Sequence, residues 1–174
     1  IALLRQQIGV CKQIITGLSR RAGAERLDNV EAVPADRWLD SLRQHWHAAR
    51  PQAGSRLIIA SDGSAPSIAA DPRLEQAILN LLNNAANATP RPLDIRLSWC
   101  SENLCIDIRD HGPGFPSEIL ATGGQTSFPA HERGSGVGLI LTRTAIEQLG
   151  GRLTLFNPDD GGALARIELP RAKP

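Results

Sequence analysis

Leu3, Leu4, Ile8, Cys11, Ile14, Ile15 and Leu18 recur at helical intervals, with Arg and Gln opposite them. This spacing predicts an amphipathic helix over residues 1–22 whose single apolar stripe asks for a partner, as in half of a helical hairpin. Gly23 and the polar, proline-containing stretch after it predict a linker over 23–34, and a second amphipathic helix spans about Ala35 to Ala49. The principal domain, 35–174, starts there. Arg56–Ala60 and Pro66–Ala70 read as short strands around the turn Ser61-Asp62-Gly63-Ser64, and Asp71-Pro72 supplies a helix cap and first helical position. A helix from Pro72 to about Ala88 precedes two strands, Leu93–Cys100 and Leu104–Arg109, joined by a tight turn at Glu102-Asn103. That turn would set Cys100 opposite Cys105. A short helical piece near Ser117–Leu120 leads into a stretch rich in Gly, Thr and Ser that runs to Gly138 and suits a mobile lid. A helix over Leu139–Leu149 ends at Gly150-Gly151, and strands at Arg152–Phe156 and Ala163–Leu169 close the chain across Asp159-Asp160-Gly161-Gly162. Frequent hairpins among interspersed helices predict an α/β (α+β) two-layer sandwich, a mixed sheet covered by helices on one face, rather than a doubly wound parallel sheet.

Composition narrows the function classes. With 41% hydrophobic and 21% charged residues in 174, the chain can bury one compact core, so disorder is not expected. A net charge of +1 gives no global field for nucleic acid or an anionic membrane. No nucleic-acid partner is therefore expected, and an anionic ligand must be held by local geometry. No apolar run reaches the roughly 18 residues that span a bilayer, and no signal-peptide pattern opens the chain, so the piece reads as soluble. Beginning at Ile1 and containing no Met, it reads as a fragment or a processed product. Cys11, Cys100 and Cys105 are too few and too scattered for a disulfide scaffold, which favours a reducing compartment. His45 and His47, two apart in a predicted helix, point in different directions and do not make a zinc site.

Three features could carry chemistry. At 100° per residue, Arg73, Gln76, Asn80, Asn84 and Asn87 form one stripe, while Leu74, Ala77, Ile78, Leu81, Leu82 and Ala85 take most of the remaining circumference. Amides buried without partners cost roughly 1 to 3 kcal/mol each, so such a row lines either solvent or a polar site. An amide oxygen is a neutral, hard ligand suited to Mg2+ and phosphate surroundings. Strand alternation puts Asp110 on the interior side with Leu104, Ile106 and Ile108, where a fixed carboxylate can accept an adenine amino group. Gly112 and Gly114 after it permit backbone approach to a flat ring. Gly134-Ser135-Gly136-Val137-Gly138-Leu139 opens into a helix and offers backbone N–H groups to phosphates. Taken singly, each also fits a blander structure: a solvated helix face, an ordinary turn, a flexible loop.

Their order is informative. Asn80-Leu81-Leu82-Asn83-Asn84-Ala85-Ala86-Asn87-Ala88, then Asp110-His111-Gly112-Pro113-Gly114, then Gly134-Ser135-Gly136-Val137-Gly138-Leu139 resemble the N, G1 and G2 boxes of the GHKL (Bergerat) ATP-binding fold. Gly150-Gly151 and Ile167-Glu168-Leu169-Pro170 are similar to the closing segments of sensor histidine kinases. The resemblance implies about five strands backing three helices, with a lid over ATP. It assigns Asn84 to Mg2+, Asn80 to the metal and phosphates as the second catalytic amide, and Asp110 to the adenine amino group. Gly134, Gly136 and Gly138, with Val137 and Leu139, become the hinge and phosphate wall, and Gly112, Gly114 and Asn87 complete the nucleotide site.

Departures from the family pattern refine these expectations. Asn87-Ala88 stands where many kinases have a basic residue and Tyr, so a phosphate contact must come from elsewhere, and Arg133 is the candidate. Position 80 is Asn where ATP-hydrolysing relatives carry Glu, and an amide is no general base, which favours transfer to a protein histidine. Ala163 replaces the usual Thr or Ser of the last glycine box. None of His45, His47, His111 or His131 has a phosphoacceptor context, so the acceptor is expected upstream of Ile1 on the first helix of a dimerisation hairpin whose second helix ends at 1–22. The implied protein is a homodimeric sensor kinase that relays phosphate to a response regulator receiver domain. The chain would be its cytoplasmic portion, anchored elsewhere in the inner membrane of a bacterium. Leu3-Leu4-Arg5-Gln6-Gln7 through Cys11-Lys12 to Leu18-Ser19 resembles RegB-type redox-responsive kinases, which makes Cys11 a candidate redox thiol, with a packed core thiol as the alternative. A domain that binds ATP without transferring it, and an ATPase clamp of the same fold, remain the other readings.

Overall fold

The computed structural model describes residues 32–123 and 137–171. The helix expected over 1–22 with Cys11, and Arg133, Gly134 and Gly136 of the expected lid, lie outside these residues. The described elements are β1 (Ala32–Pro34), α1 (Ala35–Ala49), β2 (Ser55–Ile59), β3 (Ser67–Ala69), α2 (Pro72–Ala88), β4 (Leu93–Trp99), β5 (Asn103–Arg109), α3 (Ser117–Thr122), α4 (Val137–Gln148), β6 (Arg152–Phe156) and β7 (Leu164–Pro170). The main sheet has the order β2-β4-β5-β7-β6; only the β2–β4 pairing is parallel. The expected mixed five-stranded sheet is therefore present, mostly antiparallel, and helices cover one of its faces.

Alternation along the strands explains the two layers. Leu93, Ile95 and Leu97 of β4, Leu104, Ile106 and Ile108 of β5, and Ala165, Ile167 and Leu169 of β7 are buried in one cluster with Trp38, Leu39, Leu42 and Trp46 of α1, the apolar residues of α2, and Leu139 and Ile146 of α4. The residues between them form a polar face. There Arg166 grips Asp107 through two nitrogens at 2.7 and 2.8 Å, and the carboxylate holds the guanidinium well above its usual pKa.

Two local expectations are corrected. Ala32–Pro34, assigned to the linker, is a strand paired antiparallel with Ser67–Ala69, and Ala35 N–H donates to the Pro66 carbonyl at 2.9 Å to start α1. Three residues were too short for alternation to reveal them. The β4–β5 hairpin closes one residue earlier than the expected turn: Cys100 N–H donates to the Asn103 carbonyl at 2.9 Å, and Cys105 faces Ser98 instead of Cys100. The two registers differ by an even step that leaves every side chain on its face, so alternation could not choose between them. Beyond the turn, Arg171 N–H donates to the Glu102 carbonyl at 2.7 Å and carries the β5–β7 ladder one step past the Asn103–Pro170 pair.

Candidate nucleotide site

The amide seam is built from the cap of α2 onwards. Asp71 Oδ1 accepts from Arg73 N–H at 2.7 Å and Pro72 occupies the first helical position, so the helix start matches the sequence reading. Leu74, Ala77, Ile78, Leu81, Leu82 and Ala85 are buried and fix the rotation of the helix. The opposite stripe is thereby turned outward: Asn80 is half-buried, while Asn84 and Asn87 are exposed. Gln76 Nε2 donates to Asn80 Oδ1 at 3.1 Å, and Arg50 donates to Asn87 Oδ1 at 2.9 Å. Asn84 hydrogen-bonds no described side chain. Asn83, to which no role was given, has a structural one: its Oδ1 accepts from the Trp46 indole at 3.0 Å and ties α1 to α2.

Asp110 lies just beyond β5, only 5% exposed, as alternation predicted. Its backbone continues the ladder, with its N–H donating to the Ala163 carbonyl at 2.9 Å. Oδ1 accepts from Gly112 N–H at 2.7 Å and Ala163 N–H at 3.2 Å. Oδ2 receives no donor from a described residue, so the carboxylate is anchored by one oxygen. His111 turns the other way and meets Asp94 Oδ2 at 3.1 Å, beside Arg56 on the same carboxylate. A Cβ on Gly112 would lie 2.8 Å from the Ala88 carbonyl oxygen, so the G1 turn abuts the end of α2. The N and G1 boxes are thus brought side by side.

At Gly112 and Gly114 the space that a side chain would take is occupied by protein. Gly112 meets Ala88, and Gly114, at φ +87°, would place a Cβ 2.9 Å from Asn157. Sequence reasoning missed Asn157: its Oδ1 accepts from Phe115 N–H at 2.7 Å and its Nδ2 donates to the Phe115 carbonyl at 2.9 Å. Gly162 was also missed beyond its place in a turn. At φ +82°, a Cβ there would lie 2.1 Å from the Asp110 carbonyl oxygen. The doubled glycine at 161–162 was the available signal. Val137 and Gly138 open α4, so the helix takes in the end of the glycine run, and Leu139 is buried in the core.

Residues 69–173 match a family described as histidine kinase-, DNA gyrase B- and HSP90-like ATPases. The chain belongs to this family. The sensor protein CseC of Streptomyces avermitilis is 40% identical over 103 residues, covering 55% of this chain and 20% of that protein. This chain thus spans about a fifth of the length of that curated relative. The mycobacterial sensor histidine kinase MprB superposes with a TM-score of 0.68 at 23% identity, over 84% of this chain and 100% of that one. ShkA, solved with AMPPNP, gives 0.66 at 23% identity over 84% and 32%. At these identities the two structures speak for the fold. Together the matches identify a GHKL-type ATP-binding domain similar to the catalytic domains of sensor histidine kinases. No helix among its described residues is long and apolar enough to cross a membrane.

Proposed function

We propose that this domain binds Mg-ATP between the α2 seam and Asp110 and donates the γ-phosphoryl group to a histidine on a dimerisation hairpin of its own protein, for relay to a response regulator aspartate. The observation that carries the reading is the pairing of an unpartnered amide, Asn84, with a buried carboxylate whose Oδ2 is open, on two elements that abut at Ala88 and Gly112. Asp110 is fixed to accept from an adenine amino group, and its Gly112 and Ala163 bonds orient it before the ligand arrives. Asn84 and Asn80 offer neutral oxygens, and that donor set fits Mg2+, which keeps waters and takes few protein ligands beside phosphates. When bound, the metal neutralises phosphate charge as the phosphoryl group moves. Asn80 cannot activate water as a general base, whereas a histidine acceptor brings its own nucleophile. The whole protein is on this reading a homodimeric, inner-membrane-anchored bacterial sensor with this domain in the cytoplasm.

Calorimetry with Mg-ATP tests the site. Asn84→Ala should abolish Mg-dependent binding at an unchanged melting temperature, and undiminished affinity would remove the metal assignment.

A further inference from the structure

We propose that Arg50, reaching the amide seam from the neighbouring helix, contacts the β- or γ-phosphate of the bound nucleotide. This rests on the site reading above. Arg50 caps the C-terminus of α1, and its guanidinium donates to Asn87 Oδ1 at 2.9 Å. One turn earlier on each helix, Trp46 donates to Asn83 at 3.0 Å. Helix α1 therefore runs along this flank of α2 and delivers side chains to it at matching four-residue steps.

Charge gives the contact its purpose. Gln76, Asn80, Asn84 and Asn87 are neutral, while a nucleoside triphosphate keeps net negative charge after one Mg2+ has bound. The stripe's own arginine, Arg73, is committed to Asp71 by side-chain bonds at 3.0 and 2.7 Å. Arg50 instead bonds a neutral amide, and no described carboxylate forms an ion pair with it, so its full charge and most of its five donors stay available. A carboxylate at position 87 would have neutralised that charge; the amide holds the guanidinium without doing so. Arg50 also lines an open groove of about 540 Å³ with Thr89 and Arg91. A guanidinium pairs well with phosphate oxygens through two parallel N–H bonds.

The test is calorimetric titration of the full chain with Mg2+ and ATP, ADP or AMP. Arg50→Ala should weaken ATP on the order of tenfold, the effect of one lost charge-assisted bond, and AMP less than about twofold. Arg50→Gln keeps reach and hydrogen bonding without charge, guards against misfolding, and should show the same selective loss. Adding Asn87→Lys to Arg50→Ala returns a cation directly to the seam and should recover most of the ATP affinity. Unchanged ATP affinity, an equal loss for ATP and AMP, or a loss that Asn87→Lys does not recover overturns the inference while leaving the site reading intact. If the unaltered chain binds no Mg-ATP, the site reading falls and the inference with it.

Discussion

Asn83 and Asn84 are adjacent, chemically identical and assigned opposite tasks by a rotation of 100° about the helix axis. Asn83 turns towards α1 and accepts from Trp46, whose residue is only 3% exposed. Asn83→Ala leaves the buried indole N–H unpaired and should cost about 1 to 3 kcal/mol of unfolding free energy without changing Mg-ATP affinity. That is the reverse of the outcome expected for Asn84→Ala, and denaturant melts paired with calorimetry separate the two. Gly162 is a second single-residue test. Its positive φ and the Asp110 carbonyl oxygen, 2.1 Å from where a Cβ would lie, leave no space for a methyl. Gly162→Ala should therefore shift the Asp110–Ala163 ladder, lowering both the melting temperature and adenine-nucleotide affinity. The sequence marked Asn84 and Asp110 through periodicity, but periodicity is silent on Asn157 and Gly162, whose roles depend on contacts with residues some 40 to 50 positions away.

Helix α2 owes its start to Asp71, which caps the backbone and also holds Arg73. Asp71→Ala should cost about 1 kcal/mol, read from the urea midpoint. Its carboxyl lies below the ordinary value of 3.8, chiefly because Arg73 hydrogen-bonds the carboxylate, against an opposing effect of burial. A group depressed in the folded state adds stability that is complete above its unfolded value and is lost as pH falls through the folded one. Urea midpoints should accordingly fall below about pH 4, and Asp71→Asn, which keeps a capping oxygen without the charge, should flatten that part of the profile. At the other wall, Asn157→Ala removes both bonds to Phe115 and frees the turn that begins at Gly112. Its expected signature is a similar loss of affinity for ATP, ADP and AMP, since the turn adjoins Asp110, the proposed adenine acceptor. Element types were legible because each long element carries a clear period. The β4–β5 turn and β1 were not, one because both registers satisfy the same faces and the other because pairing with β3 creates it.

At the scale of the molecule, the fold sets two walls against each other: a helix whose apolar side is buried in the sheet, and a strand end whose carboxylate is locked by the neighbouring strand. On the proposed function this arrangement binds and orients the nucleotide, and the acceptor nucleophile arrives from outside the domain. The most direct test is to join the domain to the proposed phosphoacceptor hairpin and incubate it with Mg2+ and γ-labelled ATP. The account predicts an acid-labile label on the hairpin histidine that disappears with Asn84→Ala. Saturable ATP binding without label would contradict it in favour of a nucleotide-sensing domain, and steady phosphate release that is lost with Asn80→Ala would contradict it in favour of an ATPase clamp.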